Sequence, residues 1–199
     1  MQVGLSNETQ RFHSRGGYAA ALAHNILYVP IRRMFYMTSR SRIRITKANP
    51  SDAETLAEVS KRAFHSDVNY GAPAEGGPPG YDSPVWQRKM MGFGDYYKIV
   101  QEDRIIGGII VFRKRPREYE LGRIFLEPEF QNRGIGTQAF EFLWQAYPLA
   151  KRWTLDTPAW HERNRHFYKK VGFAEIGEDG QGGVMFERRI PAGSSRRGR

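Results

Sequence analysis

Strand-like and helix-like patterns of apolar residues alternate along the chain between residues 42 and 190. Large apolar residues at every second position, or in short runs bounded by turns, predict β-strands. Pro128 follows one of these runs, at a position where a strand hydrogen bond is no longer needed. The predicted strands are, in chain order, Arg42–Thr46, Tyr96–Gln101, Ile105–Phe112, Tyr119–Leu126, Trp153–Thr157, Ala174–Glu178 and Gly183–Arg189.

Apolar residues three and four positions apart predict helices between these strands. The first helix is expected to begin at a capping box formed by residues 51–54 (Ser-Asp-Ala-Glu), and the second at Ser83, followed by Pro84. Between these two helices, the Gly- and Pro-rich segment 71–80 predicts a loop. A third helix is expected to end before Pro148, with an apolar face made by Ala139, Phe142, Leu143 and Ala146.

A glycine-containing turn joins the strand that ends near Leu126 to the third helix. Its sequence is Gln131-Asn132-Arg133-Gly134-Ile135-Gly136, followed by Thr137. The first amides of a helix lack intrahelical acceptors and lie at the positive end of the helix dipole, so they bind anions well. Glycine lets a phosphate approach this backbone closely, while Arg133 adds a charge and Thr137 a hydroxyl donor. The alternative is a flexible loop before an ordinary helix.

A second motif lies about 28 residues further on, in the segment Asn164–Phe173. Asn164 and Tyr168 are four residues apart and therefore share one helix face. Gly172 fits the left-handed position that ends many helices, with Phe173 packing back after it. A helix end with core aromatic residues accounts for Phe167 and Phe173, but not for the amide and phenol on one face.

With these two motifs in this order, the chain resembles the GNAT N-acetyltransferase superfamily over roughly residues 42–190. The matching patterns are Gln-x-x-Gly-x-Gly after a strand and, later, Asn-x-x-Phe-Tyr-x-Lys-x-Gly-Phe. The resemblance implies an α/β fold with a central mixed, splayed β-sheet of six to seven strands, flanked by about four helices. It also implies acetyl-CoA as cosubstrate, held between two parallel strands, with no metal.

The resemblance further implies a role for individual residues of the site. Tyr168 corresponds to the family's general acid, and Asn164 to a residue that bonds the pantetheine. The backbone of one strand end would contact the pantetheine arm, through Ile124, Phe125 and Leu126. The glycine-containing turn would hold the pyrophosphate, through Gln131, Asn132, Arg133, Gly134, Ile135, Gly136 and Thr137.

Acetyl transfer to an amine requires a base. A lysine-like amine with a pKa near 10.4 is almost wholly protonated at pH 7, and freeing its lone pair costs about 4.6 kcal/mol. Glu120 is the candidate, because in the histone-acetylating branch of the family a glutamate lies at this offset from the glycine motif. Glu118 is the reserve, since the two-residue period puts it on the same sheet face. Asp156 and His161 are alternatives that would orient the acceptor, and a solvated strand edge is the alternative for both glutamates.

The acceptor is predicted only as a primary amine of a small molecule or a peptide. An aromatic and acidic set would suit a cationic amine, namely Trp86, Tyr96, Tyr97, Glu120, Asp156 and Trp160. Two other functions remain as alternatives: a domain that binds acyl-CoA without turnover, and a basic nucleic-acid-binding protein.

Composition limits these functions further. The chain has no Cys, so a thiol nucleophile is excluded and direct transfer from thioester to amine is left. The net charge of +10 is concentrated in the terminal segments, since residues 1–40 carry five Arg and one Glu and residues 188–199 carry five Arg and no acid. The intervening segment has 21 basic and 20 acidic side chains, which argues against a nucleic-acid reader.

The sequence divides the chain into three segments. Residues 1–40 are predicted to be a poorly ordered extension, with a mis-assigned start codon upstream of Met37 as the favoured explanation and a real extension as the alternative. Residues 41–190 are predicted to form the acetyltransferase domain, and 191–199 a disordered basic tail. No apolar run approaches the roughly 18 residues of a membrane helix, so we expect a cytoplasmic protein with no membrane partner, monomeric or homodimeric.

Overall fold

A seven-stranded mixed β-sheet forms the centre of the protein, which we describe from a computed structural model over residues 43–191. The predicted extension, residues 1–40, and nearly all of the predicted tail lie outside the described residues. The strands are β1 Ile43–Lys47, β2 Asp95–Gln101, β3 Arg104–Arg115, β4 Glu118–Leu126, β5 Arg152–Pro158, β6 Ala174–Glu178 and β7 Gly183–Arg189. The sheet order is β1-β2-β3-β4-β5-β7-β6. All seven predicted strands are therefore confirmed, with ends shifted by up to three residues.

Within the described range, four α-helices flank the sheet, two on each face. They are α1 Ala53–His65, α2 Pro84–Phe93, α3 Ile135–Ala146 and α4 Glu162–Lys170. One face packs against α1 and α2 around Leu56, Val59, Tyr96 and Ile110. The opposite face packs against α3 and α4 in a larger core that includes Phe140, Leu143, Trp153 and Phe186. The mixed α/β architecture expected from the sequence is confirmed.

The sheet opens between β4 and β5. These strands run parallel and pair only at their first residues, where Glu118, Tyr119 and Glu120 lie opposite Arg152, Trp153 and Thr154. From Leu121 onward none of the described strands pairs with β4 on the β5 side, so a cleft forms between the two carboxyl ends. Parallel sheets bind ligands at such a point, where neighbouring strands diverge.

A bulge at Gly122 changes which side chains of β4 share a face. Leu121 lies opposite Val111 on β3, and Arg123 lies opposite the adjacent Ile110, so Gly122 is an extra residue. A Cβ on Gly122 would meet the Phe112 ring at 2.3 Å. As a result, Glu120 and Arg123 lie on the same face of the sheet, although they are three residues apart.

The helix ends are set by local hydrogen bonds. The predicted capping box at residues 51–54 is wrong, because the box begins two residues earlier, at Asn49. The Asn49 side chain accepts from the Ser51 amide, and the Asn49 amide donates to Asp52. Asp52 instead begins α1 without a side-chain cap, after one 3-10 turn (residues 50–52). The prediction for α2 is confirmed, because the Ser83 hydroxyl accepts from the Trp86 amide.

Candidate active site

A cavity of about 340 Å³ lies at the cleft between β4 and β5. Four elements line it: the end of α1, the end of β4, the start of α3, and α4. Its lining residues are Ala63, Phe64, Asp67, Ile124, Phe125, Leu126, Gln131, Asn132, Gly134, Gly136, Thr137, Arg163, Asn164, Phe167, Tyr168 and Lys170. The two sequence motifs, more than 20 residues apart, thus meet around one cavity.

The end of β4 supplies a row of backbone groups to this cavity. Ile124, Phe125 and Leu126 pair with β3 on one side, but none of the described strands lies against them on the other. Their amide and carbonyl groups on the cleft side are available to an extended, amide-containing ligand. The pantetheine arm of coenzyme A contains two amides and fits this edge.

The start of α3 supplies amides suited to an anion. Gly134 caps the helix with a φ of 80° and provides no side-chain hydrogen bond to the first turn. The first amides of α3 therefore have no intrahelical acceptor. A Cβ on Gly134 would point into open space, so the left-handed backbone is the reason for a glycine there. Ile135 itself is buried in the core and offers only its backbone.

Gly136 has a packing role that the sequence did not predict. A Cβ at this position would meet the Phe167 ring at 2.9 Å. The absent side chain therefore allows the first turn of α3 to pack against α4. Gly136 also lines the cavity, so its expected part in admitting a phosphate stays a prediction.

Gln131 braces the cavity wall with its side chain. Its Nε2 donates to the Leu126 carbonyl at 3.0 Å, and its Oε1 accepts from Arg163 Nη1 at 2.8 Å. This amide ties the end of β4 to α4 across the cleft. Arg133, by contrast, is exposed and does not line the cavity, and its guanidinium lies 5.4 Å from the Phe130 ring. Arg133 could therefore contact a phosphate only from the solvent side of the cavity.

Tyr168 and Asn164 extend from α4 toward the cavity, as their spacing predicted. The Tyr168 ring packs against Phe140, Phe173 and Phe186, with centroids 5.8 to 6.3 Å apart. Burial, with the nearby charges of Asp156 and Asp67, raises the pKa of Tyr168 well above its usual value of 10.0. The phenol is therefore protonated at neutral pH and able to donate a proton.

The carboxylates expected to act as a base lie beside the cavity rather than in its lining. Glu120 pairs with Lys114 at 3.1 Å, and Glu118 pairs with Arg152 at 3.4 Å. The exposed Asp156 lies on the neighbouring strand. The pKa of the Asp156 carboxyl is raised above 3.8. The main cause is that part of the carboxyl is shielded from water, and the negative charges of Glu120 and Asp179 add to the effect. Glu120 and Asp156 thus form an acidic pair on either side of the cleft.

His161 and Asp67 form a pair that sequence reasoning did not identify. His161 is 1% exposed, between the rings of Tyr70 and Trp160, and its Nε2 lies 3.2 Å from an Asp67 oxygen. Asp67 faces the cavity, but no motif contains it, so only the fold brings it there. The sequence analysis also did not identify Arg163 as a cavity residue, although its position next to Asn164 could have indicated it.

The aromatic and acidic set proposed for the acceptor does not form one surface. Tyr96 and Tyr97 are adjacent on β2 and therefore point to opposite faces. Tyr96 belongs to the core under α1 and α2, whereas Tyr97 belongs to the other core and contacts Tyr147. The expectation that Tyr97 contributes to the same acceptor surface is wrong.

Neither a metal site nor a membrane helix emerges from the described part of the chain. Within residues 43–191, no group of three or more His, Asp or Glu side chains is arranged to hold a metal ion. In the same range, no helix is long and apolar enough to cross a membrane.

Comparison with known proteins identifies the family. A model of the acetyltransferase (GNAT) domain matches residues 93–175. An uncharacterized protein of Bacillus subtilis (strain 168), YrkN, is 30% identical over 130 residues, which are 63% of this chain and 70% of that protein. The chain belongs to the GNAT acetyltransferase family. The matched residues run from the end of α2 to the start of β6, and they contain both motifs of the cavity.

Solved GNAT structures share the fold. The PaiA N-acetyltransferase of Thermoplasma acidophilum, in complex with coenzyme A, is 20% identical, with a TM-score of 0.62 over 74% of this chain and 99% of that one. An acetyltransferase of Thermus thermophilus is 18% identical, with a TM-score of 0.63 over 79% and 100%. The ribosomal-protein-S18-alanine N-acetyltransferase of Escherichia coli is 17% identical, with a TM-score of 0.59 over 77% and 97%.

Proposed function

We propose that this GNAT protein is an N-acetyltransferase that moves an acetyl group from acetyl-CoA directly to a primary amine of a small molecule or peptide. The observation that carries the proposal is the cavity, which joins the open amides of α3, the free edge of β4 and the phenol of Tyr168. These groups fit pyrophosphate, pantetheine and thiolate in the order in which coenzyme A carries them. Because the chain contains no Cys, the acetyl group passes to the amine without an acetyl-cysteine intermediate in this proposal.

In this proposal the loop Gln131–Thr137 binds the pyrophosphate through backbone amides. Gly134 lets the ligand approach, and the Gln131 side chain keeps the loop fixed to β4 and α4. Ile124, Phe125 and Leu126 hold the pantetheine arm along the strand edge, and Asn164 contacts it from α4.

Tyr168 is the proposed general acid. The thiolate that leaves acetyl-CoA resembles a thiol with a pKa of about 8.5, so it accepts a proton from a well-placed donor. Burial raises the pKa of the phenol, so it stays protonated and can hydrogen-bond the sulfur as negative charge develops there. The ring is fixed by its aromatic neighbours, so the hydroxyl is held in position before the reaction.

Glu120 is the proposed base, working with Asp156. The ion pair with Lys114 orients the Glu120 carboxylate. Asp156 lies close enough for its charge to interact with that of Glu120, so the pair attracts a protonated amine and removes its proton, directly or through water. Glu118, which pairs with Arg152, and His161, which pairs with Asp67, stay as reserves.

The acceptor amine is either free or at a peptide terminus in this proposal. The fold neighbour from E. coli acts on the alanine of a ribosomal protein, which supports a peptide amine. A domain that binds acyl-CoA without turnover remains the second candidate, because none of the cavity's features requires chemistry. The cytoplasmic location, the monomeric or homodimeric state and the absence of a nucleic-acid partner stay predictions.

Release of free coenzyme A from acetyl-CoA in the presence of a panel of amines tests the proposal. We expect amine-dependent release, with Tyr168→Phe lowering kcat by about 10- to 10⁴-fold while acetyl-CoA affinity changes little. Tyr119→Phe is the matched control, because its ring also packs in the core but does not line the cavity. Binding without release for every amine would favour the second candidate.

The pH profile of Glu120→Gln tests the base. We expect lower activity at neutral pH and partial recovery at high pH, where the free amine is already abundant. A profile parallel to wild type at every pH would move the base to Asp156, Glu118 or His161.

A further inference from the structure

Arg123 occupies an aromatic niche on β4, on the face covered by α1 and α2. Its guanidinium lies 4.0 Å from the Trp86 ring and 5.9 Å from the Phe64 ring. Both rings pack against the buried cluster that contains Tyr96 and Ile110. The side chain is therefore half-buried among aromatic rings.

The charge of Arg123 has no counterion among residues 43–191. Its Nη2 donates to the Pro79 carbonyl at 3.2 Å, but its Nη1 is buried and has no hydrogen-bond partner in this part of the chain. The nearby Tyr96 hydroxyl donates to Gln87 instead, at 2.6 Å. Burial lowers the pKa of Arg123 to about 10. An unpaired buried donor on a charged group is costly, so this niche favours a ligand that brings negative charge.

Arg188 shows that stacking and loop anchoring do not by themselves create such an orphan donor. It lies 4.0 Å from the Trp144 ring, donates to the Val171 carbonyl at 3.1 Å, and has its pKa lowered by burial. Within the described residues, none of its nitrogens is both buried and unpartnered. The two arginines therefore share a structural role, and of the two Arg123 has the unused, enclosed donor.

The position of Arg123 connects it to the reaction site. Phe64, whose ring it contacts, lines the cavity beside Phe125. The bulge at Gly122 puts Arg123 on the same face as Glu120, and their β3 partners Ile110 and Phe112 are two residues apart. Their strand positions are thus separated by about 7 Å. The strand positions of Arg123 and of the proposed base Glu120 therefore lie within the span of one small molecule.

We propose that Arg123 binds a carboxylate of the acceptor, so that the acceptor is an amine that also carries a carboxylate, as a free amino acid or a peptide with a free carboxyl terminus does. This inference rests on the proposed function and specifies its substrate class. The guanidinium forms charge-assisted hydrogen bonds with a carboxylate, which supplies the counterion that Arg123 does not find among residues 43–191. Glu120 and Asp156 receive the ammonium at the other end of the same molecule.

Matched acceptor pairs test the inference through kcat/KM. The pairs are L-methionine with 3-(methylthio)propylamine, L-phenylalanine with phenethylamine, and a dipeptide with its carboxamide. In wild type we expect the carboxylate partner to be preferred by at least about tenfold, the scale of a charge-assisted hydrogen bond. R123Q should lower that ratio by about tenfold or more, to near one, mainly through KM, while R123K retains part of it. R188Q is the matched control and should preserve the ratio.

Two kinetic outcomes overturn the inference. One is a wild-type ratio near one for all pairs. The other is an R123Q variant that lowers kcat/KM equally for both partners of each pair, which would make Arg123 only a loop anchor. Preference for amino acids but not dipeptides, or the reverse, identifies the source of the carboxylate.

A binding measurement keeps the inference separable from the proposed function. The Arg123 Nε–H NMR signal, assigned by its loss in R123K, is followed during titration with N-acetyl-L-methionine and with N-acetyl-3-(methylthio)propylamine. We expect a saturable shift with the carboxylate compound alone. Absence of that shift overturns the inference even if amines are acetylated. A clear shift in a protein that neither binds nor consumes acetyl-CoA would instead overturn the proposed function.

Discussion

Asp156 carries its charge at a cost in folding free energy. Its carboxyl has lost part of its water and lies near Glu120 and Asp179, so its pKa in the folded protein is raised above 3.8. A raised carboxyl pKa means that the ionised form is less stable in the folded than in the unfolded chain. Unfavourable groups of this kind are typical of sites where charge is needed for function.

Asp156→Asn should therefore make the fold slightly more stable than wild type at neutral pH. The gain should shrink as the pH falls through the raised pKa and vanish below about 3.8, where the wild-type carboxyl is protonated in both states. Thermal melts of both proteins between pH 4 and 8 check this. A gain that stays constant with pH would show that the cause is packing rather than charge.

At the scale of elements, the end of α4 fixes the height of Tyr168 in the cleft. The Phe173 amide donates to the Tyr168 carbonyl at 3.0 Å, and the Gly172 amide donates to that of Lys169 at 3.1 Å. These two bonds form a Schellman motif, which requires the left-handed φ of 94° at Gly172. The last turn of α4 and the start of β6 are thereby joined next to Tyr168, the proposed general acid.

Gly172→Ala should destabilise the protein by about 1 to 2 kcal/mol, because a side chain disfavours the left-handed backbone. Space is not limiting, since the nearest atoms to a new Cβ belong to the Arg188 side chain, at 3.6 Å. Gly92→Ala is the control of opposite sign. Gly92 is exposed in α2 with nothing near a new Cβ, so alanine should stabilise by about 0.5 to 1 kcal/mol. Urea unfolding of both variants measures the difference, and a neutral Gly172→Ala would contradict the cap assignment.

The elements could be predicted from sequence because periodicity and caps act locally. The strand hairpin of β6 and β7, the Ser83 cap and the Gly172 end all depend on residues within a few positions of one another. The roles of Gly136 and Gln131 could not be predicted, since they depend on Phe167, Leu126 and Arg163, which only the fold brings near. The position of Arg123 could not be predicted either, because it lies on the same sheet face as Glu120 only through the bulge at Gly122.

At the scale of the whole molecule, the sheet and its four flanking helices lie within residues 43–191. The segment between residues 41 and 187 has 21 basic and 20 acidic side chains, so most of the net charge of +10 belongs to the terminal segments. Nucleic-acid binding, if present, would depend on those segments rather than on the cavity.

A fragment from Met37 to Ile190 should therefore fold and keep acetyl-CoA binding. The expected result is a melting temperature within a few degrees of that of the full chain and the same cofactor affinity. Circular dichroism melts and calorimetry check both. An insoluble fragment, or one that melts many degrees lower, would mean that the fold depends on residues outside this range and would contradict the predicted domain boundaries.

Calorimetric titration of acetyl-CoA into wild type, Gly134→Asn and Gly180→Asn tests the central claim most directly. Both glycines have left-handed φ angles, 80° and 73°, and open space at the Cβ, but only Gly134 lines the cavity. Asparagine tolerates this backbone, so both variants should fold. The account predicts low-micromolar to sub-millimolar binding in wild type and Gly180→Asn, and at least tenfold weaker binding in Gly134→Asn. Equal affinity in all three proteins would contradict the assignment of the pyrophosphate to the start of α3.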